Sequence, residues 1–220
     1  KKQQAINKLY EFQKEDFVKI FTVMKNNPVT IRYMDPPLHE FLPNKEEEIK
    51  KLAIELEISE DDLKDKIEEL KEVNPMMGHR GCRLAITTPE LLKMQTKAIM
   101  DAALEVKKSG IDVEPELMLP LVGDIKELKY LIKIVTEVAD NINREVFVPY
   151  KIGTMIEVPR AAIIADQLAK EVDFFSFGTN DLTQMTYGFS RDDAAKFLTS
   201  YYDKHIFDQD PFEKLDQEGV

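Results

Sequence analysis

Two acidic residues, Glu157 and Asp181, stand at the ends of short apolar runs, Gly153-Thr154-Met155-Ile156-Glu157 and Phe174-Phe175-Ser176-Phe177-Gly178-Thr179-Asn180-Asp181. A helix opens after each run. Pro159 marks one start and Thr179-Asn180-Asp181 the other, because proline suits the first helical turn and short polar side chains cap it. Two consecutive βα units would then each carry a carboxylate at the C-terminal end of a strand. In parallel α/β folds that end is where chemistry sits, since its loops are free of core packing and helix N-termini aim amide groups at anions. The two acids could share one oxygen-seeking cation. Magnesium fits that role, as it takes one or two protein carboxylates and completes its shell with substrate oxygens.

The elements that must position these acids read as strands and helices by turns. Over residues 3–26 the apolar positions Ile6, Leu9, Tyr10, Phe17, Ile20, Phe21 and Met24 recur at helical spacing. A strand over 29–34 follows. Asp35-Pro36-Pro37 stops it, since prolines remove donors and constrain their predecessors. Residues 44–56 and 60–73 read as two charged helices, the second capped by Ser59 with Asp62 three residues on. This pair is a helical insertion at about 44–73, outside the main sheet. Beyond it the pattern predicts strands at 82–86, 117–122, 147–157 and 174–178. Helices at 89–109, 125–142, 159–171 and from Asn180 separate and follow them. Such alternation predicts a parallel sheet. Five strands result, whereas a closed (β/α)8 barrel needs eight strands and about 250 residues.

Composition narrows the function classes. With 220 residues and 43% hydrophobic content, the chain can bury a sizeable core, and it has no apolar run long enough to span a bilayer. Its 41 acids against 30 bases give a net charge of −11, which repels phosphate backbones and anionic lipid. Neither nucleic acid nor membrane is expected as a partner. One cysteine, Cys82, cannot form an internal disulfide, and no presequence or signal peptide is visible. A reducing, cytoplasmic location is expected, with an organellar one left open.

The runs around Glu157 and Asp181, together with Asn74-Pro75-Met76-Met77-Gly78-His79-Arg80-Gly81, resemble the C-terminal barrel of the phosphoenolpyruvate-utilising enzymes. Arg32-Tyr33-Met34-Asp35-Pro36-Pro37-Leu38-His39-Glu40-Phe41 and Tyr187-Gly188-Phe189-Ser190-Arg191-Asp192-Asp193 resemble one branch of that family. That branch interconverts ATP, phosphate and pyruvate with AMP, diphosphate and phosphoenolpyruvate. The resemblance covers essentially the whole chain. It implies a (β/α)8 barrel of the phosphoenolpyruvate/pyruvate type, of which this chain is an internal piece. It also implies phosphohistidine and nucleotide-binding domains elsewhere in a parent chain, and a parent homodimer joined through the barrel. The family's general acid is a late-strand cysteine whose motif Cys82 does not match, so the chain alone is expected to be inactive. Phosphoenolpyruvate synthase, the phosphotransferase-system enzyme I and a non-catalytic dimerisation module are the alternative readings.

By the same resemblance, Glu157 and Asp181 are magnesium ligands, and Arg32, Glu157, Asn180 and Asp181 carry the chemistry. Arg32, at a strand end, can grip a phosphoryl group with its planar fork. Gly178, Thr179 and Asn180 match the turn that contacts substrate, where glycine permits close backbone approach and Asn180 can donate a hydrogen bond. Simpler roles are open to all of these residues, from surface ion pairing for Arg32 to helix capping for the acids and the turn. Arg80 and Arg191 match arginines near the pocket, and for each substrate contact and structural ion pair stand side by side. His39, His79 and His205 do not match the phosphohistidine motif and read as structural. Met76, Met77, Met94, Met100, Met118 and Met155 read as core packing.

Overall fold

In the computed structural model, which describes residues 1–72, 74–144 and 146–220 and leaves the side chains of His39 and Pro75 undescribed, the chain alternates helix and strand as its hydrophobic pattern requires. Helix α1 (Lys2–Met24) leads into β1 (Pro28–Arg32), and α2 (Glu46–Leu56) and α3 (Glu60–Leu70) form the insertion. Next come α4 (Gly81–Thr87), α5 (Pro89–Lys108), β2 (Glu114–Leu119), α6 (Ile125–Ile142) and β3 (Lys151–Ile156). The chain continues through α7 (Pro159–Ile163), α8 (Ala165–Leu168), β4 (Phe174–Phe177), α9 (Thr179–Tyr187) and α10 (Arg191–Asp203).

The strands pair in parallel and in sequence order, β1-β2-β3-β4. Crossovers of one hand in a sequential sheet place their helices on one face. Here α1 packs on α5, α5 on α6, and α6 on α8. The sheet therefore curls as part of a barrel wall. Its outer side buries Ile31, Leu117, Leu119 and Ile152 against Ile99, Leu128, Leu131 and Val135. Each fully buried aliphatic side chain of this kind contributes about 1.5–3 kcal/mol. On the inner side Thr30, Arg32, Glu116, Met118, Met155 and Ser176 line a space of about 580 Å³.

Several expectations are corrected. Among the described residues there are four strands, not five, because the segment around Cys82 is the helix α4. Its short apolar run is buried at Gly81, Cys82 and Leu84, a helical rather than an alternating pattern. The helix expected over 159–171 is broken at Ile164, where φ is −103°. The predicted strand over 147–157 begins only at Lys151, and Phe147 is exposed. Helix α10 was not anticipated. In the insertion, Ser59 does cap α3 by accepting the Asp62 N–H at 3.0 Å. Ile49, Ala53 and Leu63 give that insertion its own small core. Val73, the expected last residue of its second helix, lies outside the described residues, as does the side chain of His39. Met94, Met100 and Met118 are buried, but Met76 and Met77 line an open cleft.

Candidate active site

Glu157 follows β3 directly and is fully buried. Its Oε1 accepts the Leu121 N–H at 2.6 Å. Leu121 adopts the left-handed region to do so, with φ of 61°, a conformation that costs a branched side chain energy and gathers at functional sites. Oε2 is buried and meets no N–H or O–H donor among the described residues, and a proton on Glu157 can be shared with the Asp181 carboxylate. Burial pushes the Glu157 carboxyl up to about 7, the Leu121 N–H opposes that rise, and the carboxylates of Asp35 and Asp181 add to it. Gly178 is needed beside it, because a Cβ there would lie 2.6 Å from Glu157 Cβ and 2.9 Å from Oε2.

Asp35 joins the two arginines near this acid. It is 3% exposed, and its Oδ2 accepts from Arg80 Nη2 and lies 3.5 Å from Arg32 Nη1. Its carbonyl accepts the Gly81 N–H at 3.1 Å, which ties the start of α4 to the end of β1. Burial works to lower the Arg80 pKa, but pairing with Asp35 outweighs it, aided by Asp181 and Glu157, so the pKa is raised. Sequence reasoning placed Asp35 in a strand-breaking segment that carries the family resemblance, and gave it no part in the site. Its partner Arg80 is 45 residues away, and only folding joins them.

Helix α9 supplies the remaining residues. Thr179, Asn180 and Asp181 form its first turn, with Gly178 before them as N-cap. Arg191 Nη1 donates to Asn180 Oδ1 at 3.3 Å, and the Arg191 N–H donates to the buried Gln184 side chain at 2.8 Å. A guanidinium has only donors, so the amide oxygen of Asn180 must face it, leaving the NH₂ end for another acceptor. Phe212 lies 5.9 Å beneath the Arg191 guanidinium, at the edge of an aromatic cluster that includes Tyr187, Phe189 and Phe197. Arg80 and Asp181 line a cleft of about 880 Å³ that Met76, Met77 and Gln184 also wall.

The fold therefore gathers Arg32, Arg80, Glu157 and Asp181 around Asp35, with Gly178, Thr179 and Asn180 at the adjoining turn. Arg191 sits one step out, against Asn180. Arg80 both pairs with Asp35 and lines the cleft, so its two readings coexist. Three carboxylates meet two arginines, and two buried oxygens, Glu157 Oε2 and Asp35 Oδ1, are left without a hydrogen-bond donor among the described residues. That donor set of hard oxygens suits a divalent cation such as magnesium, which would relieve the crowding that raises Glu157. Among the described residues no group of three or more His, Cys, Asp or Glu is placed to hold a metal unaided. Two carboxylates plus substrate oxygens are what magnesium takes.

Residues 1–218 match the family model described as PEP-utilising enzyme, PEP-binding domain, where PEP is phosphoenolpyruvate. The chain belongs to this family of PEP-utilising enzymes, and it corresponds to their PEP-binding domain. It is 56% identical over its whole length to pyruvate, phosphate dikinase of Clostridium symbiosum. With the chloroplastic pyruvate, phosphate dikinase of Flaveria pringlei it shares 53% identity over 98% of the chain. With the chloroplastic pyruvate, phosphate dikinase 1 of Oryza sativa subsp. japonica it shares 49% over the full chain. The chain spans about a quarter of the length of each, 25%, 23% and 24% respectively. Among the described residues no helix is long and apolar enough to cross a membrane.

Proposed function

We propose that the chain is the phosphoenolpyruvate/pyruvate-binding part of a pyruvate, phosphate dikinase, in which a phosphoryl group passes between a phosphohistidine and the enolate of pyruvate. The observation that carries this reading is the buried Oε2 of Glu157, which meets no donor among the described residues and is crowded by Asp181 and Asp35 beside two arginines. The overall reaction converts ATP, pyruvate and phosphate to AMP, phosphoenolpyruvate and diphosphate, and runs in both directions.

Phosphoenolpyruvate is an anion of high charge density, and its site must neutralise it. Arg32 is held from behind by Asp35 yet 43% exposed, so its fork is free to take two phosphoryl oxygens. The NH₂ of Asn180 and the N-terminal amides of α9 add donors on the same side. A magnesium ion held by Glu157 and Asp181 would supply Lewis-acid stabilisation of the charge that develops on the enolate oxygen. Cys82 takes no part in moving the methyl proton: it is fully buried, donates to the Leu121 carbonyl at 3.2 Å, and burial pushes its thiol up to about 12.

In this reading the four parallel strands belong to a (β/α)8 barrel completed by the rest of the polypeptide. The phosphohistidine and nucleotide-binding domains of the same protein deliver the phosphoryl group, and the barrel pairs two protomers. The protein works in the cytoplasm or, like the relatives named chloroplastic, in an organelle. The test is a steady-state assay of the full-length protein with ATP, pyruvate and magnesium, with and without inorganic phosphate. Phosphoenolpyruvate formation that requires phosphate and yields diphosphate is expected. Formation at the same rate without phosphate would contradict the dikinase reading.

A further inference from the structure

We infer that the main-chain amide of Leu121 sets the metal preference of the site: by taking one lone pair of Oε1 and holding the positive end of its dipole there, it leaves Oε2 the better ligand, and one-oxygen binding favours a small octahedral cation such as magnesium over calcium. The inference rests on the cation site proposed above and adds to it the device that discriminates between ions.

A carboxylate binds an ion through one oxygen or through both. Calcium takes six to eight oxygens at about 2.3–2.6 Å and readily uses both oxygens of an acid. Magnesium takes six at about 2.0–2.1 Å in near-ideal octahedral order and draws one oxygen from each carboxylate. At Glu157 the two oxygens are unequal, because the Leu121 N–H lies 2.6 Å from Oε1 while Oε2 meets no donor among the described residues. An ion held through both oxygens would have to use the remaining lone pair of Oε1, against the positive end of the Leu121 amide dipole.

The amide cannot turn aside to make room. Leu121 is held with φ of 61° and its side chain is 1% exposed. Its carbonyl accepts the Cys82 thiol at 3.2 Å, which fixes the following peptide plane as well. On the other side Gly81 packs so closely that a Cβ there would lie 2.8 Å from Leu121 Cβ. Gly178 stands behind Oε2, where a Cβ would come within 2.9 Å, so the carboxylate is confined on that side too. A strained backbone that persists under such confinement is the kind that serves a site. Leu121 is therefore a positioning residue, acting through Glu157 and through its backbone alone.

The discriminating experiment replaces Leu121 by its α-hydroxy acid in the full-length protein, which turns the amide into an ester, removes the N–H and leaves every side chain in place, weakening besides only the Pro120 carbonyl that accepts the Cys82 N–H at 3.2 Å. Magnesium and calcium, each as the metal alone, are titrated calorimetrically into the parent and the ester form, and binding that persists in Glu157→Gln is subtracted. The parent should prefer magnesium, and the ester should narrow that preference by about tenfold, the size expected when an outer partner of a metal ligand is removed. Cys82→Ala, which removes the thiol that holds the Leu121 carbonyl, should shift the ratio the same way and serves if the ester form does not fold. An unchanged ratio in both altered proteins would overturn the role of Leu121 while leaving the cation site standing. Absence of any Glu157-dependent magnesium binding in the parent would overturn the cation site itself and this inference with it.

Discussion

A carboxyl group at zero exposure with one oxygen that meets no donor opposes folding unless something binds there. Glu157 is raised from its ordinary 4.5 to about 7, chiefly by burial, so the native state holds the proton more tightly than the unfolded chain does. Its contribution to stability is fully present below pH 4.5 and is lost as pH rises through 7. Without metal, Glu157→Gln should therefore stabilise the fold at pH 8, on the order of 1 kcal/mol, and flatten stability across that window. Urea denaturation at pH 5 and pH 8 measures both effects, and a variant less stable than the parent at pH 8 would contradict them. Arg32 makes a different demand. Arg32→Lys keeps the charge but loses the two-pronged grip, so phosphoryl transfer in the full-length enzyme should fall at least tenfold. Steady-state kinetics with kcat and KM for phosphoenolpyruvate both unchanged would rule out the contact.

At the scale of elements, the site depends on close approaches that tolerate no side chain. Gly178→Ala would drive a methyl group to 2.6 Å from Glu157 Cβ and 3.0 Å from Met155 Sδ. Overpacking of that kind costs about 1–3 kcal/mol, and here it should also weaken ligand binding because it pushes on a carboxylate of the site. Denaturant midpoints and oxalate affinity, compared with Gly123→Ala as a control whose Cβ would make only ordinary contact, with Val158 Cγ1 at 3.7 Å, separate a local effect from a general one. The strands bearing Arg32 and Glu157 and the turn bearing Asp181 were legible because each is an apolar run cut short by a polar residue and a helix start. The segment around Cys82 was not, since five apolar-rich residues fit a strand or a helix equally well. What decides it is a contact distant in sequence, the Gly81 N–H on the Asp35 carbonyl with Gly81 at φ of +53°. Helix α10 went unread because its charged first turn resembles a loop; in the structure Ser190 caps it by accepting the Asp192 N–H at 3.2 Å.

For the whole molecule, parallel pairing followed from the alternation of strand and helix alone, whereas the sequential strand order with helices on one face and the grouping of charges did not. Asp35 and Leu121, which fix the arginines and the buried acid, were given no role by the sequence reading and act through a bridging carboxylate and a strained amide. The central claim is that Glu157 and Asp181 form one cation site that a planar dianion completes. Oxalate, which mimics the planar enolate of pyruvate, should bind the full-length protein at least tenfold more tightly with magnesium than without it, a difference of about 1.4 kcal/mol. Glu157→Gln and Asp181→Asn should each abolish that difference. Calorimetric titration of oxalate with and without magnesium, in the parent and in both variants, is the direct measurement. Equal affinity in the two conditions, or a magnesium effect undiminished in either variant, would contradict the shared site.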